Sequence, residues 1–318
     1  MEPRTSPLGP DAAHGRGRHA PPHQRRRDRG HSSRGARGLW VAGRSRWSVA
    51  LGFGAERHRI GFGTAAGQHD PVSLVGSWLV RDDATVEDGT VLRISDDLSL
   101  WASCGYVMGG WRADGHGLFV GHIDGGDEGC IPKQGDPTPA WLTTVSRYAP
   151  DGDGFLLQTA DGATVVRLAP GGRPTPGSNL LPSLADPPTV TDPLRVALAP
   201  AAGLPSSLEP ATQARLVGSW KAVAPAPSDG LARVTPPGVT LSAAGGYEAT
   251  DGCNQTSGRW AAGDAGSFIA TGGASTLVGC DNVDVSGWLV RARNAGFAGT
   301  TLVLVDQAGH ELGRLTRG

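Results

Sequence analysis

The chain has 318 residues and a formal net charge of −1 at neutral pH, long enough for two or three ordinary domains that each bury a core. Its 49 glycines and 24 prolines favour short strands and many turns over long helices. The near-neutral total conceals a split, because residues 1–70 hold thirteen arginines against five acids; no RNA- or DNA-binding motif accompanies those arginines, so nucleic acid is not the expected partner.

From Met1 to about Gly38 the chain is rich in Arg, His, Gly and Pro and nearly free of apolar side chains, too few to offset the entropy of ordering. Between Leu39 and Asp70 the apolar residues, Trp40, Trp47, Val49, Leu51 and Phe53 among them, keep no period of 2 or 3.6. No run there is long enough for a signal-peptide core or a membrane span. Residues 1–70 therefore read as a disordered basic extension, or as a misread start that covers the true export signal.

Residues 71–170 open with Leu-Val-Gly-Ser-Trp at 74–78, which recurs letter for letter at 216–220. Repeated entry strands mark repeated domains. Thr90–Ile94 and Leu98–Ala102 predict a hairpin across Ser95–Asp97, and Leu118–Ile123 predicts a further strand between glycines. Trp141, Leu142, Val145 and Tyr148 fall on one helical face, which predicts a single short helix after Cys130. Phe155–Gln158 and Thr164–Leu168 flank Ala-Asp-Gly at 160–162 as a closing hairpin. Next come ten prolines from Pro170 to Pro210, which make 171–210 a semi-rigid extended linker. Val190–Leu198 is its one candidate edge strand, and Leu208 is placed to anchor the second entry strand.

Residues 211–318 repeat the plan. Trp220 opens the copy, Val239–Ser242 and Tyr247–Thr250 predict a hairpin, and Trp260–Ala262 pairs with Ser267–Thr271. Val285, Trp288, Leu289 and Ala292 repeat the helical face, with Asp281 or Asp284 suited to cap it. Thr301–Asp306 and Glu311–Leu315 close the sheet. Cys104, Gly109 and Trp111 recur with the same spacing as Cys253, Gly258 and Trp260, and each set ends in a second cysteine, Cys130 or Cys280. The chain is read as a duplication: two tandem, mainly β domains, each a barrel-like or strongly bent antiparallel sheet carrying one short helix.

In the second copy Gly252-Cys253-Asn254, then Gly258 and Trp260, then Thr276 and Cys280, resembles the META domain of HslJ-type bacterial envelope proteins. The first copy has Ser-Cys-Gly at 103–105 and lacks the threonine, so its assignment rests on the internal repeat. The resemblance implies a β-rich module of the cell envelope or exterior, lipoprotein-like or stress-related, in a family with no established reaction. Gly252 and Asn254 read as turn residues, a reading favoured over the alternative of Asn254 as a recognition residue at a pocket mouth.

Chemistry-bearing patterns are few. The sequence holds no nucleophile elbow, phosphate loop, dinucleotide fingerprint or C-x-x-C pair. His116 and His122 beside Asp124, Asp127 and Glu128 fit neither an EF-hand nor a zinc spacing. Asp82 with Asp83, and Asp96 with Asp97, are adjacent and point apart on a strand, and His310 sits in a turn next to Glu311. No catalytic residue, metal or cofactor is expected. Trp78, Trp101, Trp111 and Trp141 in one copy and Trp220, Trp260 and Trp288 in the other form either packed cores or the lining of an apolar cavity.

The four cysteines divide two per copy, 26 and 27 residues apart. Zinc would need all four from separate domains, and a catalytic thiol needs no partner at nearly the same distance in both copies. Paired disulfides Cys104–Cys130 and Cys253–Cys280 are therefore predicted, with an extracytoplasmic location. The expected function is a non-enzymatic envelope or secreted META-like protein with a binding or structural role, its partner an envelope protein. A lipocalin-like carrier of a small apolar ligand is the alternative, and a hydrolase a distant third.

Overall fold

The structure, a computed structural model, describes residues 69–81, 86–133, 135–177, 180–224 and 232–318. The expectations for residues 1–68 and for Asp82 with Asp83 lie outside the described residues. The described residues belong to one compact unit, built mainly of β-strands.

The first sheet contains β1 (Gly76–Arg81), β2 (Val91–Ile94), β3 (Leu98–Ala102), β4 (Gly105–Ala113) and β5 (Phe119–Gly126), then helix α1 (Ala140–Thr144), then β6 (Arg147–Asp151), β7 (Gly154–Gln158) and β8 (Thr164–Pro170). After a short 3₁₀ turn at Pro182–Ala185 come helix α2 (Asp192–Ala197), the two-residue strand β9 (Glu209–Pro210) and helix α3 (Gln213–Leu216). The second sheet comes next, with β10 (Gly218–Ala222), β11 (Gly238–Leu241), β12 (Gly246–Thr250), β13 (Gln255–Ala262) and β14 (Phe268–Ala270), helix α4 (Val285–Arg291), then β15 (Asn294–Ala298), β16 (Thr301–Val305) and β17 (Glu311–Arg317).

Both sheets are antiparallel and share one topology, β5-β4-β3-β2-β1-β8-β7-β6 and β14-β13-β12-β11-β10-β17-β16-β15, with β9 added to the edge of β15. In each, the helix carries the chain from one sheet edge to the other. Those edges approach at one isolated bridge per sheet, Leu118 with Arg147 and Ser267 with Asn294. The sheets thus bend round on themselves without closing through a full ladder.

Each sheet wraps its own core. Trp78, Leu92, Ile94, Leu98, Trp111, Phe119, Leu142, Tyr148 and Leu168 fill the first; Trp220, Leu241, Tyr247, Trp260, Phe268, Leu289, Leu302 and Leu315 fill the second. The repeated entry motif has a physical purpose in both, because the Trp78 indole N–H donates to the Leu74 carbonyl at 2.8 Å and that of Trp220 to Leu216 at 2.7 Å. A buried indole N–H needs such an acceptor.

Three expectations need correction. The helical face drawn through Tyr148 is too long, since α1 ends at Thr144 and Tyr148 lies in β6. Tyr148 still reaches the core because a strand can present an apolar side chain inward as well as a helix can. Strands β6 and β15, which immediately follow the helices, are not predicted by the sequence pattern. Val190–Leu198 holds helix α2 and not an edge strand: Thr191 Oγ1 accepts the Leu194 N–H at 3.2 Å and a proline stands in the first turn, a start signal that outweighs the strand reading. Leu194 and Leu198 pack into the first core, so this part of the proline-rich segment is docked. Of the two candidate caps for α4, Asp284 is the one used, accepting the Gly287 N–H at 3.0 Å.

The two copies meet through equivalent edge elements. β5 packs on β13 and β14, and β14 packs on β4. Leu118, Val120, Ala261 and Ile269 form a small buried cluster there, in which Val120 follows Phe119 as Ile269 follows Phe268. The packing resembles the self-complementary interface of a two-fold dimer.

Candidate functional site

The residues of the 252–280 motif converge, and they do so by binding one another. Asp251 Oδ1 accepts the Cys253 and Asn254 N–H groups at 2.8 and 2.6 Å, while its Oδ2 accepts the side-chain amides of Asn254 and Asn282 at 3.0 and 2.9 Å. Asn254 then spans to the facing loop: its Nδ2 donates to the Val278 carbonyl at 2.9 Å, and its Oδ1 accepts the Val278 N–H at 2.5 Å and the Thr276 hydroxyl at 3.1 Å. Thr276 Oγ1 in turn accepts the Gln255 N–H at 3.2 Å. Beside this clasp Cys253 and Cys280 are disulfide-bonded with Cα atoms 6.3 Å apart. Asn254 is 8 % exposed and its side chain is fully engaged, which makes it a structural tie.

The motif glycines have separate reasons. Gly252 sits at φ +106°, where only glycine is unstrained. A Cβ on Gly258 would stand 2.7 Å from the Tyr247 ring, whose hydroxyl donates to the Thr271 carbonyl at 2.6 Å. Trp260 stacks on Phe268 and donates to the Gly246 carbonyl at 3.0 Å. Sequence reasoning missed Asp251 and Asn282. An aspartate whose carboxylate can reach the N–H groups two and three residues on was the available signal.

In the first copy Cys104 and Cys130 are likewise disulfide-bonded, Cα atoms 5.1 Å apart, and the chain contains no free cysteine. Asp127 takes over the tie, its Oδ2 accepting the Tyr106 N–H at 2.9 Å and its backbone pairing with Tyr106 and Cys130. Of the histidines weighed as ligands, His116 is exposed, and His122 is 5 % exposed and pairs through Nε2 with Asp124 Oδ1 at 2.9 Å. Asp96 and Asp97 do diverge, Asp96 receiving the Thr191 hydroxyl at 3.2 Å and Asp97 that of Ser95. His310 lies 3.5 Å from Asp306 on the surface.

A cleft of about 600 Å³ opens between the copies. The first copy supplies His122, Asp124 and Asp136, and the second Glu248, Ser257 and Arg259. Arg259, 8 % exposed, donates to the carbonyls of Thr143 in one copy and Ala244 in the other. Burial lowers its pKa, with the Asp136 charge opposing. Asp124 Oδ1 also accepts the Ala274 N–H at 3.2 Å, so the His122–Asp124 pair ties the copies as well. The cleft shares Thr240, Glu248, Ser257 and Ala274 with a groove of about 670 Å³ across the outer face of β10–β13. Its exposed wall is polar, with Ser219, Lys221, Gln255 and Glu248.

The described tryptophans face inward. Trp78, Trp101, Trp111, Trp141, Trp220 and Trp260 are all under 9 % exposed, and Trp288 lies half-buried against the second core. An apolar pocket of about 220 Å³ lies at one end of the first sheet beside Cys104, Cys130 and Trp141, smaller than ordinary ligand sites, which begin near about 300 Å³. Among the described residues, no three His, Cys, Asp or Glu side chains stand together as metal ligands, and no helix is long and apolar enough to cross a membrane. Comparison of the chain with protein-family models, curated proteins and solved structures finds no match.

Proposed function

We propose that the chain is a non-enzymatic binding protein of the cell envelope or exterior, built from two META-like copies that form one body and share a polar cleft. The observation that carries this reading is the cysteine arrangement: both copies use their two cysteines in a disulfide at the same place, between the turn after the third strand and the loop before the helix. Such bonds persist outside the reducing cytoplasm. The family reading is supported by the way Gly252, Asn254, Gly258 and Thr276 each have a distinct structural task in the second copy. Binding is favoured over catalysis because the motif side chains are occupied in holding the loop, while the open polar surface lies between the copies.

Thiol trapping on fractionated cells that produce the native protein tests this. All four cysteines are expected to resist alkylation until reduced, in a fraction outside the cytoplasm. A cytoplasmic pool with free, alkylated thiols would overturn the assignment.

A further inference from the structure

The two copies differ at one end of their cores. In the second, the side chains of Asp251 and Asn254 bond each other, and Asn254 bonds the facing loop. In the first, the matching positions are Ala102 and Gly105, which carry nothing beyond a methyl, and both line the apolar pocket of about 220 Å³ beside Cys104, Cys130 and Trp141. That pocket continues the first core, because Leu100, Val107 and Trp141 belong to the core and line the pocket as well. Where the second copy ends in a polar clasp, the first keeps an apolar recess.

Size and lining set the chemistry that fits. An apolar cavity of about 150 Å³ takes benzene, whereas drug-sized ligands need about 300 Å³ or more, so a recess of about 220 Å³ suits one ring with a short substituent. Trp141 and the Cys104–Cys130 sulfurs line it, and both an indole and a polarizable sulfur make favourable contacts with an aromatic ring. Of the described residues that line it, only Glu87 is charged. Glu87 is exposed, and its Oε2 accepts the Ser103 N–H at 3.2 Å. A protonated amine on the substituent complements that carboxylate, and an acid is repelled by it.

We infer that this recess binds a small single-ring aromatic amine, with the ring against Ala102, Val107 and Trp141 and the ammonium beside Glu87. The site lies wholly within the first copy and is separate from the cleft shared by both. Its test is made in solution on purified chain, so a failed localisation and a failed ligand are distinguishable.

The experiment is a calorimetric and methyl-shift titration of the oxidised full chain with benzylamine, benzyl alcohol, benzoate and butylamine. Benzylamine is expected to saturate one site with a dissociation constant of about 0.1–1 mM, to shift the Ala102 and Val107 methyls most, and to show cross-relaxation between its ring protons and those methyls. Benzyl alcohol, which lacks the charge, should bind about threefold more weakly, a small factor because the pairing carboxylate is exposed. Benzoate should be weaker again, and butylamine, which lacks the ring, should not saturate below about 10 mM. Glu87→Gln retains an oxygen for the Ser103 N–H and should remove the preference for the amine over the alcohol. Ala102→Leu places its added carbons in the recess and should weaken benzylamine at least about tenfold; should that variant not fold, the cross-relaxation in the unaltered chain decides alone. The inference fails if benzylamine does not saturate, if its strongest shifts lie away from Ala102 and Val107, if benzoate or butylamine binds as well, if Glu87→Gln keeps the amine preference, or if a folded Ala102→Leu binds undiminished.

Discussion

In the second copy the loop that ends at Cys280 is joined to the β12–β13 turn twice over, by the disulfide and by the Asp251–Asn254–Thr276 network. In the first copy the position matching Asn254 is Gly105, at φ +132°, and that matching Asp251 is Ala102. There the loop depends on its disulfide and on Asp127, which approaches from the loop side. The same covalent staple thus serves two polar designs. The second copy carries the redundant one, and in the first the tie falls to a carboxylate on the opposite stretch of chain.

The largest expected effect is common to both copies. On the chain-entropy model, removing either disulfide as a Cys→Ala pair costs about 3.5 kcal/mol, because the closed loops differ by only one residue. The local consequences should diverge. With Cys253 and Cys280 replaced, the Val278 amide should keep its exchange protection through Asn254. With Cys104 and Cys130 replaced, the Cys130–Ile131 segment should exchange near the rate of an open loop. Amide exchange on the two variants, beside urea unfolding, reads both quantities; equal loss of protection would show that the clasp has no independent strength.

Asn254→Ala addresses the clasp directly. It removes the bonds to Val278 and Thr276 and leaves Asp251 without one of its donors, a cost of about 2 kcal/mol for a buried amide in such a network. The disulfide should remain formed. A side chain at Gly105 would meet the Asp127 carboxylate and sit at φ +132°, so an asparagine there would disturb the existing tie as it offered the new one.

The sequence made the repeated parts legible and hid the singular ones. Letter-for-letter entry strands and equal Cys–Gly–Trp spacing give the duplication, the two sheets and both cysteine pairs without any structure. Strands β6 and β15 stayed hidden because each begins within three residues of its helix, where Tyr148 satisfies a helical period and a strand alternation alike. The cleft was illegible for a different reason. His122 and Asp124 come from one copy and Arg259 from the other, and only the packing of β5 on β13 and β14 brings them together. Nothing local in Ser-Gly-Arg at 257–259 reveals that the arginine will donate to Thr143, more than a hundred residues away.

The smallest expected effect separates the copies by acid. Burial works against the charge of Asp251, but hydrogen bonds from Asn254, Cys253 and Asn282 outweigh it and hold the carboxyl below its ordinary range. A carboxyl depressed in the fold contributes stability above its unfolded pKa, about 3.9, and that contribution is lost as pH falls through the folded value. Asp114 in the first copy has the opposite balance: burial dominates the bonds from Leu118 and His116 and raises its pKa, so acidification from neutrality through that raised value favours the folded first copy. Each unit of displacement corresponds to about 1.4 kcal/mol. Between pH 6 and 3, exchange at Val278, corrected for the intrinsic rate, should therefore quicken while that at Leu118 slows or holds. Asp251→Asn should abolish the first trend and Asp114→Asn the second; parallel trends at both amides, unchanged by either variant, would mean that neither carboxyl governs its copy.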